Sequence, residues 1–256
     1  MARAASAAVS ALADLLYPEP CCACGGLRPA RPAPGKKEVL SPLSACLCPR
    51  CLDLCLAVEP PMCPVCGVPY AAGVNHVCSA CSQASPGFTT ARAVGVYAGP
   101  LRRAVHEYKY RMHRGLARPL GRALANAYQA FYGPGTNDLA IPVPLHVSRL
   151  RYRGFNQAFL LLPPHSGARG WDIPVQPRAL VRVKRTKTQL GLSARERVQN
   201  LKGAFAVPDP ALVKGKRVLL VDDVYTTGAT ARACAKVLFA AGAQEVNVLT
   251  LARVGW

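Results

Sequence analysis

Two adjacent carboxylates, Asp222 and Asp223, directly follow the apolar run Val218 to Val221. A continuous apolar and β-branched run of this kind is typical of a strand buried on both faces of a parallel sheet. We therefore expect a strand that ends at Asp222, with both acids at its carboxyl end. Because open α/β sheets bind their ligands at that edge, the pair predicts a ligand site rather than an ordinary surface charge.

A loop of small residues follows the acid pair and leads into an alanine-rich sequence, a predicted helix that ends near Gly242. Free backbone amides at a helix start, hydroxyl side chains and a glycine that permits close approach predict a cradle for a phosphate group. An ordinary strand, turn and helix capped by threonine is the alternative, but it leaves the paired acids unexplained. The predicted cradle consists of Thr226, Thr227, Gly228, Ala229 and Thr230.

Eleven of the 12 cysteines lie at or before Cys81, and eight of them form four pairs with two intervening residues. One such pair aims two thiolates from a tight turn, and two pairs supply the four tetrahedral ligands that zinc takes. The pairs therefore predict two zinc sites and leave open which turns combine. A disulfide framework and an iron–sulfur cluster are the alternatives. The predicted ligands are Cys21, Cys24, Cys48, Cys51, Cys63, Cys66, Cys78 and Cys81.

The chain is strongly basic, with 32 Lys and Arg against 13 Asp and Glu, a formal charge of +19. Most of the excess lies between residues 90 and 205, where 20 Lys and Arg face four acids. Such a surface attracts polyanions: phosphorylated small molecules, nucleic acid or anionic lipid. A hydrophobic content of 51% with 18% charged residues excludes disorder as a description of the whole chain.

Two further features predict where the protein resides. The opening stretch to Leu16 is mostly alanine and carries Asp14, so it predicts an amphipathic helix rather than a secretion signal. The chain contains no run of 18 apolar residues, so the sequence predicts no membrane-spanning helix. Together with thiols suited to metal binding, these features predict a cytoplasmic protein.

Three segments resemble signatures of the ComF family, the competence-associated proteins with an amino-terminal cysteine module. Within the last of them, the acid pair and the threonine-rich loop resemble the phosphoribosyl pyrophosphate (PRPP) loop of type I phosphoribosyltransferases. The resemblance extends over essentially the whole chain, because the cysteine pairs precede these segments in the family's order. The segments are IPVPLHVSRLRYRGFNQA (141–158), RTKTQLGLSARERVQNLKGAF (185–205) and KGKRVLLVDDVYTTGAT (214–230).

The resemblance implies an α/β fold, a type I phosphoribosyltransferase-like, mostly parallel sheet flanked by helices. A small cysteine-rich, zinc-ribbon-like module would occupy residues 1–88, and the phosphoribosyltransferase domain residues 89–256. Asp222 and Asp223 would take the ribose hydroxyls of PRPP, and the loop 226–230 would hold the 5′-phosphate. Mg²⁺ would bridge the ribose hydroxyls and the pyrophosphate.

The segment from Ser148 to Gln157 is expected to be a strand end followed by an arginine-rich turn. Arginine suits bidentate phosphate contacts, although solvated surface charge is the alternative. With the resemblance, Arg151 and Arg153 are expected to neutralise the leaving pyrophosphate, beside Arg149. The stretch 184–200 would then form a mobile hood over the site. One departure from the family is Pro163-Pro164, which should cut short the helix after Phe159.

The resemblance implies Mg²⁺-dependent phosphoribosyl transfer with release of pyrophosphate, in a protein associated with DNA uptake. The alternative is a non-catalytic adaptor of competence that handles single-stranded DNA, together with other competence proteins, and keeps the PRPP pocket as a sensor or vestige. Aromatic and cationic residues alternate between Tyr108 and Arg114, a short pattern that suits base stacking and contacts to a nucleic-acid backbone.

Overall fold

A four-stranded parallel sheet forms the centre of the molecule. The computed structural model describes residues 20–28, 38–110, 113–163, 171–186 and 193–255. The sheet has the order β1-β6-β5-β2, and β3 pairs antiparallel with β4 in a separate two-stranded ribbon. The strands are β1 Thr90–Val96, β2 Leu139–Pro142, β3 Val181–Arg182, β4 Phe205–Ala206, β5 Arg217–Tyr225 and β6 Glu245–Arg253. The parallel α/β architecture expected from the sequence is confirmed.

Helices cover both faces of this sheet, as its apolar central strands require. Short 3-10 turns occupy Ser41–Ala45, Arg114–Leu116 and Pro210–Leu212. Among the described residues the α-helices are α1 Pro49–Asp53, α2 Ser79–Gln83, α3 Gly99–Tyr110, α4 Ala117–Phe131, α5 Val147–Arg153, α6 Gln157–Leu161, α7 Ala194–Leu201 and α8 Ala229–Ala240.

Strand β5 divides its side chains between two apolar cores. Leu219 and Val221 belong to the core formed with α3 and α4, whereas Val218 and Leu220 belong to the core formed with α8. All four side chains are fully buried. This alternation is what a strand buried on both faces produces, since successive side chains point to opposite sides of a sheet.

The cysteine-rich segment shares the first of these cores. Leu43 and Leu47 lie in the same buried cluster as Leu120 and Leu124 of α4. The Arg103 guanidinium of α3 donates to the Ala23 carbonyl at 2.9 Å. The division at residue 88 therefore stays a prediction from sequence, because apolar packing continues across it. The helix expected before Leu16 lies outside the described residues.

Two local expectations were wrong. Strand β5 does not end at Asp222 but continues in register with β6 to Tyr225. The segment expected to be a strand end and an arginine-rich turn is the helix α5. His146 caps this helix by accepting from the Ser148 amide, and Gly154, at φ 74°, ends it. The capping histidine and the terminating glycine outweigh the strand-like pattern of alternating arginines.

The early end of the helix after Phe159 is confirmed. Helix α6 stops at Leu161, and the capping residue Leu162 is extended, with ψ 150°. The residue that precedes a proline avoids the helical region, so Pro163 explains this end. Pro164 lies outside the described residues.

Candidate functional site

A cavity of about 380 Å³ opens at the carboxyl ends of β5 and β2, where the sequence predicted a ligand site. Its floor is formed by Asp222 and Asp223 of β5 and by Val143, which follows β2. The start of α8 forms one wall, and α5 forms another. The structure thus brings the acid pair and the threonine-rich loop to one cavity, as expected of this edge of an open parallel sheet.

The two acids are held differently. The backbone amide of Asp223 donates to Asp222 Oδ1 at 2.8 Å, and Asp223 Oδ1 forms an ion pair with Lys109 Nζ, also at 2.8 Å. Burial and then the charge of Asp223 raise the pKa of Asp222 to about 7, against the opposing charge of Lys109. The Asp222 carboxyl therefore binds a proton more readily than an exposed aspartate does.

Lys109 lines the cavity and was not predicted from the sequence. Burial alone would lower the pKa of Lys109, but the charge of Asp223, its hydrogen bond and the charge of Asp222 together outweigh burial and raise the pKa above its ordinary value. The position of Lys109 in the helical pattern of α3 could have indicated that its side chain faces the core. Lys109 continues the buried stripe of Leu101, Val105 and Tyr108 on α3, where an apolar residue is expected. A lysine on such a stripe needs a carboxylate partner across the core, and the acid pair supplies one.

Replacing Lys109 with methionine should lower the free energy of unfolding by about 3 kcal/mol, because the Asp223 carboxylate then stays buried without its partner. The double variant Lys109→Met with Asp223→Asn should lose less than the single variant, since it leaves no unpaired charge there. Urea denaturation of the two single variants and the double variant measures this coupling. Strictly additive losses would contradict the pairing.

The threonine-rich loop has the geometry of an anion cradle. Gly228 is the N-cap of α8 with φ 73°, and a Cβ at this position would overlap the Tyr225 hydroxyl. The Arg232 guanidinium fixes the loop by donating to the Thr227 carbonyl at 2.7 Å, and Arg197 donates to Thr226 Oγ1 at 3.0 Å. Amides of the first helical turn have no intrahelical acceptors, so they are available to a phosphate.

Buried polar atoms without partners support the fit of this cavity to a polar ligand. Gln157 Nε2 and Arg182 Nε are buried, belong to residues that line the cavity and have no hydrogen-bond partner within the described part of the chain. Thr227 Oγ1, in the cradle, is in the same situation. Such groups are costly to bury unsatisfied, so a ligand that accepts and donates hydrogen bonds suits the site.

Three arginines from α5 and β3 also line the cavity: Arg149, Arg153 and Arg182. Arg149 and Arg153 are four residues apart on α5 and share one face of it. Burial, followed by the charge of a neighbouring guanidinium, lowers the pKa of both Arg149 and Arg182. The neighbour is Arg153 for Arg149, and Arg149 for Arg182. This mutual repulsion favours a polyanion between them.

Arg151, which the sequence proposed beside Arg153, is exposed and is not among the residues that line the cavity. The two-residue spacing that aligns side chains on a strand places them on opposite faces of a helix. Arg182, on β3, was not singled out from the sequence. The expected hood contributes Arg197 to the cavity lining, and its residues 187–192 lie outside the described part.

The eight predicted ligand cysteines form two groups of four, and all 12 cysteines are free thiols. Within each group the sulfur atoms lie within 4.8 Å of one another. Cys24 Sγ and Cys48 Sγ are 3.8 Å apart, and Cys66 Sγ and Cys78 Sγ are 3.7 Å apart. Tetrahedral zinc with Zn–S bonds of about 2.3 Å gives an S···S spacing of about 3.8 Å. Both groups therefore fit zinc. The structure also shows which cysteine turns combine, a question that the sequence left open. The first cluster is Cys21, Cys24, Cys48 and Cys51, and the second cluster is Cys63, Cys66, Cys78 and Cys81.

Backbone amides stabilise the thiolate form in both clusters. The Cys48 amide donates to Cys21 Sγ at 3.3 Å, and the Cys78 amide donates to Cys63 Sγ at 3.4 Å. Burial opposes ionisation, but these amides and their neighbours lower the pKa of Cys21 and of Cys63 to about 6. Since the thiolate is the metal ligand, these amides favour ionisation of one ligand in each cluster, whereas burial and neighbouring thiols raise the pKa of Cys51 and of Cys81.

The two clusters are built alike. Isolated bridges from Pro20 to Leu27 and from Met62 to Pro69 close the first turn of each cluster. The third ligand of each, Cys48 and Cys78, is the N-cap of a short helix. His76, which could have replaced a cysteine, stacks on the Tyr70 ring at 4.0 Å instead. The cysteine-rich segment therefore contains two copies of one ribbon-like unit.

The described helices include none that is both long and apolar enough to cross a lipid bilayer.

The chain is similar to proteins named for competence and DNA utilization. It is 37% identical over 197 residues to DNA utilization protein YhgH of Salmonella typhimurium, with 75% of this chain and 84% of the relative covered. It is 38% identical over 201 residues to competence protein F of Haemophilus influenzae, covering 75% and 85%. Competence protein ComFC of Bacillus subtilis is 28% identical over 220 residues, covering 81% and 84%.

The family model of the phosphoribosyl transferase domain matches residues 172–255, which include β5, the cradle and α8. A solved glutamine PRPP amidotransferase from B. subtilis aligns with 51% of this chain and 25% of its own, at 24% identity and a TM-score of 0.32. A TM-score this low does not establish the fold, which rests instead on the sheet order and the family match.

Proposed function

The chain belongs to the ComF family of competence-associated proteins, and from this premise we propose that its cavity binds PRPP with Mg²⁺ and transfers the phosphoribosyl group. The observation that supports this most strongly is that a carboxylate pair, a phosphate cradle and a cluster of arginines line one cavity. This arrangement matches the three parts of PRPP, which are a ribose with two free hydroxyls, a 5′-phosphate and a pyrophosphate.

Each part of the ligand has its own group of residues. The carboxylates of Asp222 and Asp223 accept hydrogen bonds from the ribose hydroxyls. The hydroxyls and amides of Thr226, Thr227 and Thr230 hold the 5′-phosphate, together with the amides of Gly228 and Ala229 at the positive end of α8.

The pyrophosphate lies between Arg149, Arg153 and Arg182, so these residues take the role that was expected of Arg151 and Arg153. Arg153 is oriented by the Tyr110 ring, whose centroid lies 5.3 Å from its guanidinium. Arg149 Nη2 donates to the Thr186 carbonyl at 3.5 Å, which joins α5 to the segment after β3. Guanidinium groups held in this way are suited to bidentate contacts with phosphate oxygens.

In the reaction, the bond between the anomeric carbon and the pyrophosphate oxygen breaks, and its electron pair leaves with the oxygen. The arginines stabilise the negative charge that develops there, while the carboxylates below the ribose stabilise the positive charge at the anomeric carbon. The acceptor nucleophile forms the new bond and loses its proton to solvent. Asp222 and Asp223 are the residues beside which Mg²⁺ would be held with PRPP, and the ion would supply charge neutralisation for the pyrophosphate.

The matched pair Arg149→Ala and Arg151→Ala tests the assignment of the pyrophosphate side. We expect Arg149→Ala to weaken PRPP binding about tenfold or more, because it removes a charge-assisted contact worth roughly 1.5–3 kcal/mol. Arg151→Ala, which removes the same charge from the exposed face of α5, should change the affinity less than about threefold at 0.15 M salt, where charges beyond about 8 Å are screened. Calorimetric titration of PRPP with Mg²⁺ measures both. Equal losses of PRPP affinity in the two variants would contradict the assignment, because they would show that binding depends only on the net charge of α5.

We further propose that each cysteine cluster holds one structural Zn²⁺. The sulfur spacing and the amides that donate to Cys21 and Cys63 support zinc, and the shared core with α4 explains why the metal matters to the rest of the fold. No ligand position is left over for substrate in either group of four cysteines, so the role is structural rather than catalytic.

A second candidate is the adaptor that handles single-stranded DNA with other competence proteins. Exposed aromatic residues beside the arginines favour it: Tyr110 is 54% exposed and Tyr152 is 89% exposed. Such rings stack on bases while arginines follow the backbone. Binding of a single-stranded oligonucleotide whose affinity falls steeply with salt, and is lost in Tyr152→Ala, would support it. Arg111, part of the aromatic and cationic pattern, lies outside the described residues.

A further inference from the structure

The second cysteine cluster is joined directly to the parallel sheet. Its first turn runs from Cys63 to Cys66, and three consecutive carbonyls of this turn accept hydrogen bonds from sheet residues. Pro64 O accepts from Arg92 Nη2 at 2.9 Å, Val65 O from the Ala91 amide at 2.7 Å, and Cys66 O from Arg253 Nη1. Gly67, at φ 70°, has no room for a Cβ against the Ala91 carbonyl, so the turn lies flush on β1.

Arg253, the last residue of β6, links this turn to the neighbouring strand. It is only 6% exposed, which is unusual for an arginine. Its guanidinium carbon lies 5.0 Å from the centroid of the Tyr225 ring, on the strand that leads into the phosphate cradle. A buried guanidinium needs acceptors, and the Cys66 carbonyl is one that the cluster provides. The backbone of Arg253 is held by the sheet, whereas the position of its guanidinium depends on the Cys66 turn.

Tyr225 in turn shapes the cradle. It is the last residue of β5, is 9% exposed, and packs edge-on against the Phe88 ring at 6.2 Å. Its hydroxyl end occupies the space that a side chain at position 228 would need. The Tyr225 carbonyl accepts from the Val254 amide at 2.9 Å, which ties the same residue to the end of β6. The ring of Tyr225, which also lines the cavity, thus packs directly against the backbone of Gly228.

We propose that Arg253 is a positioning residue that couples the second cysteine cluster to the phosphate cradle, so that metal in this cluster raises the affinity of the cradle for its phosphate ligand. The coupling path runs from the Cys66 carbonyl through Arg253 and Tyr225 to Gly228. The inference rests on the proposed function, because it concerns the site assigned above to the 5′-phosphate of PRPP.

The physical reason is that each step of this path is a packed or hydrogen-bonded contact between buried groups. Without metal, the Cys63–Cys66 turn loses the constraint on its sulfur atoms, and the Cys66 carbonyl is no longer fixed. Arg253 Nη1 then lacks its fixed acceptor, and the contact of Nε with the Val254 carbonyl at 3.4 Å remains. The guanidinium can then move away from the Tyr225 ring, so Gly228 can leave the geometry that presents amides to phosphate. Energetic coupling between sites of this kind is typically 5- to 150-fold in affinity.

The first cysteine cluster provides a built-in control. Its turn is held by Arg103, whose guanidinium donates to the Ala23 carbonyl at 2.9 Å. Arg103 belongs to α3, not to a strand that leads into the cradle. The two arginines therefore make the same contact, a donation to a carbonyl of a cysteine turn, at two different places in the fold.

The experiment compares Arg253→Met, Arg253→Lys and Arg103→Met in the full-length, zinc-loaded protein. We expect Arg253→Met to weaken PRPP binding about tenfold in calorimetry with Mg²⁺, Arg253→Lys to weaken it less, and Arg103→Met to leave it within about twofold. Zinc content should stay at the wild-type value in all three, which separates positioning from loss of the cluster. Unchanged affinity in Arg253→Met, or an equal loss in Arg103→Met, would overturn the proposal.

Amide hydrogen exchange gives a readout that needs no PRPP. Amides of residues 226–231 should exchange faster in Arg253→Met than in the wild type, and faster in Cys81→Ser than in Cys51→Ser, which removes the corresponding ligand from the first cluster. Should wild type fail to bind PRPP, the proposed function fails, and the exchange comparison still decides the coupling. Equal exchange in Arg253→Met and wild type, or in the two cysteine variants, would refute the coupling.

Discussion

Replacing Asp222 and Asp223 together with asparagine is expected to weaken PRPP binding by at least about a hundredfold. Each carboxylate that accepts from a ribose hydroxyl makes a charge-assisted hydrogen bond worth roughly 1.5–3 kcal/mol, and two of them give roughly 3–6 kcal/mol. Asparagine keeps the size of the side chain but not the charge. Titration of PRPP in the presence of Mg²⁺ gives the affinity.

The double variant also leaves Lys109 buried without its ion pair, so the folded state must be checked by circular dichroism and thermal unfolding. Asp222→Asn alone keeps the ion pair between Lys109 and Asp223 and should still bind PRPP more weakly than wild type. Asp209→Asn is the matched control, because asparagine also accepts from the Ala211 amide and caps the 3-10 turn. Wild-type affinity in Asp222→Asn with Asp223→Asn would refute the assignment of the acids.

Removing the metal from the cysteine clusters should have the second large effect. Structural zinc supplies about 10–16 kcal/mol in zinc-finger peptides, more than the whole stability of many domains. The first cluster is packed into the core that holds α4, so its loss should lower the unfolding temperature of the whole protein and not only of the cysteine-rich segment. Chelation followed by thermal unfolding, with metal analysis before and after, measures this.

The expected result is two zinc ions per chain and a lower unfolding temperature after chelation, restored by added zinc. Cys234→Ala is the matched control: this cysteine is buried on α8, far from both clusters in sequence, and its replacement should leave the zinc content unchanged. Iron with the visible absorbance of an iron–sulfur cluster, or an unfolding temperature unaffected by chelation, would contradict a structural zinc role.

The sequence predicted the central sheet and the acids at its edge because strand burial is a local property. Val218 to Val221 form an apolar run whose burial on both faces does not depend on knowing the partners. The prediction of the cradle also depended on local sequence alone, since a loop of small residues with a glycine before a helix indicates such a turn. The cysteine ligands followed from their spacing, but their pairing depended on how the two turns lie in space.

What the sequence did not predict depends on elements distant along the chain. Lys109 and Asp223 are far apart in sequence and meet only when α3 packs against the sheet. Arg149 and Arg153 were both named from the sequence, but Arg151 is not among the residues that line the cavity, because α5 is a helix whose caps at His146 and Gly154 were stronger signals than the spacing of its arginines. Arg182, on β3, reaches the same cavity from a distant part of the chain.

The most direct test of the account is a calorimetric titration of PRPP into the zinc-loaded protein with and without Mg²⁺. We expect saturable binding at one site per chain in the presence of Mg²⁺, and binding at least about tenfold weaker without it, because Mg²⁺ would neutralise charge on the pyrophosphate. Absence of binding in Mg²⁺, or binding that is the same with and without the metal, would contradict the central claim.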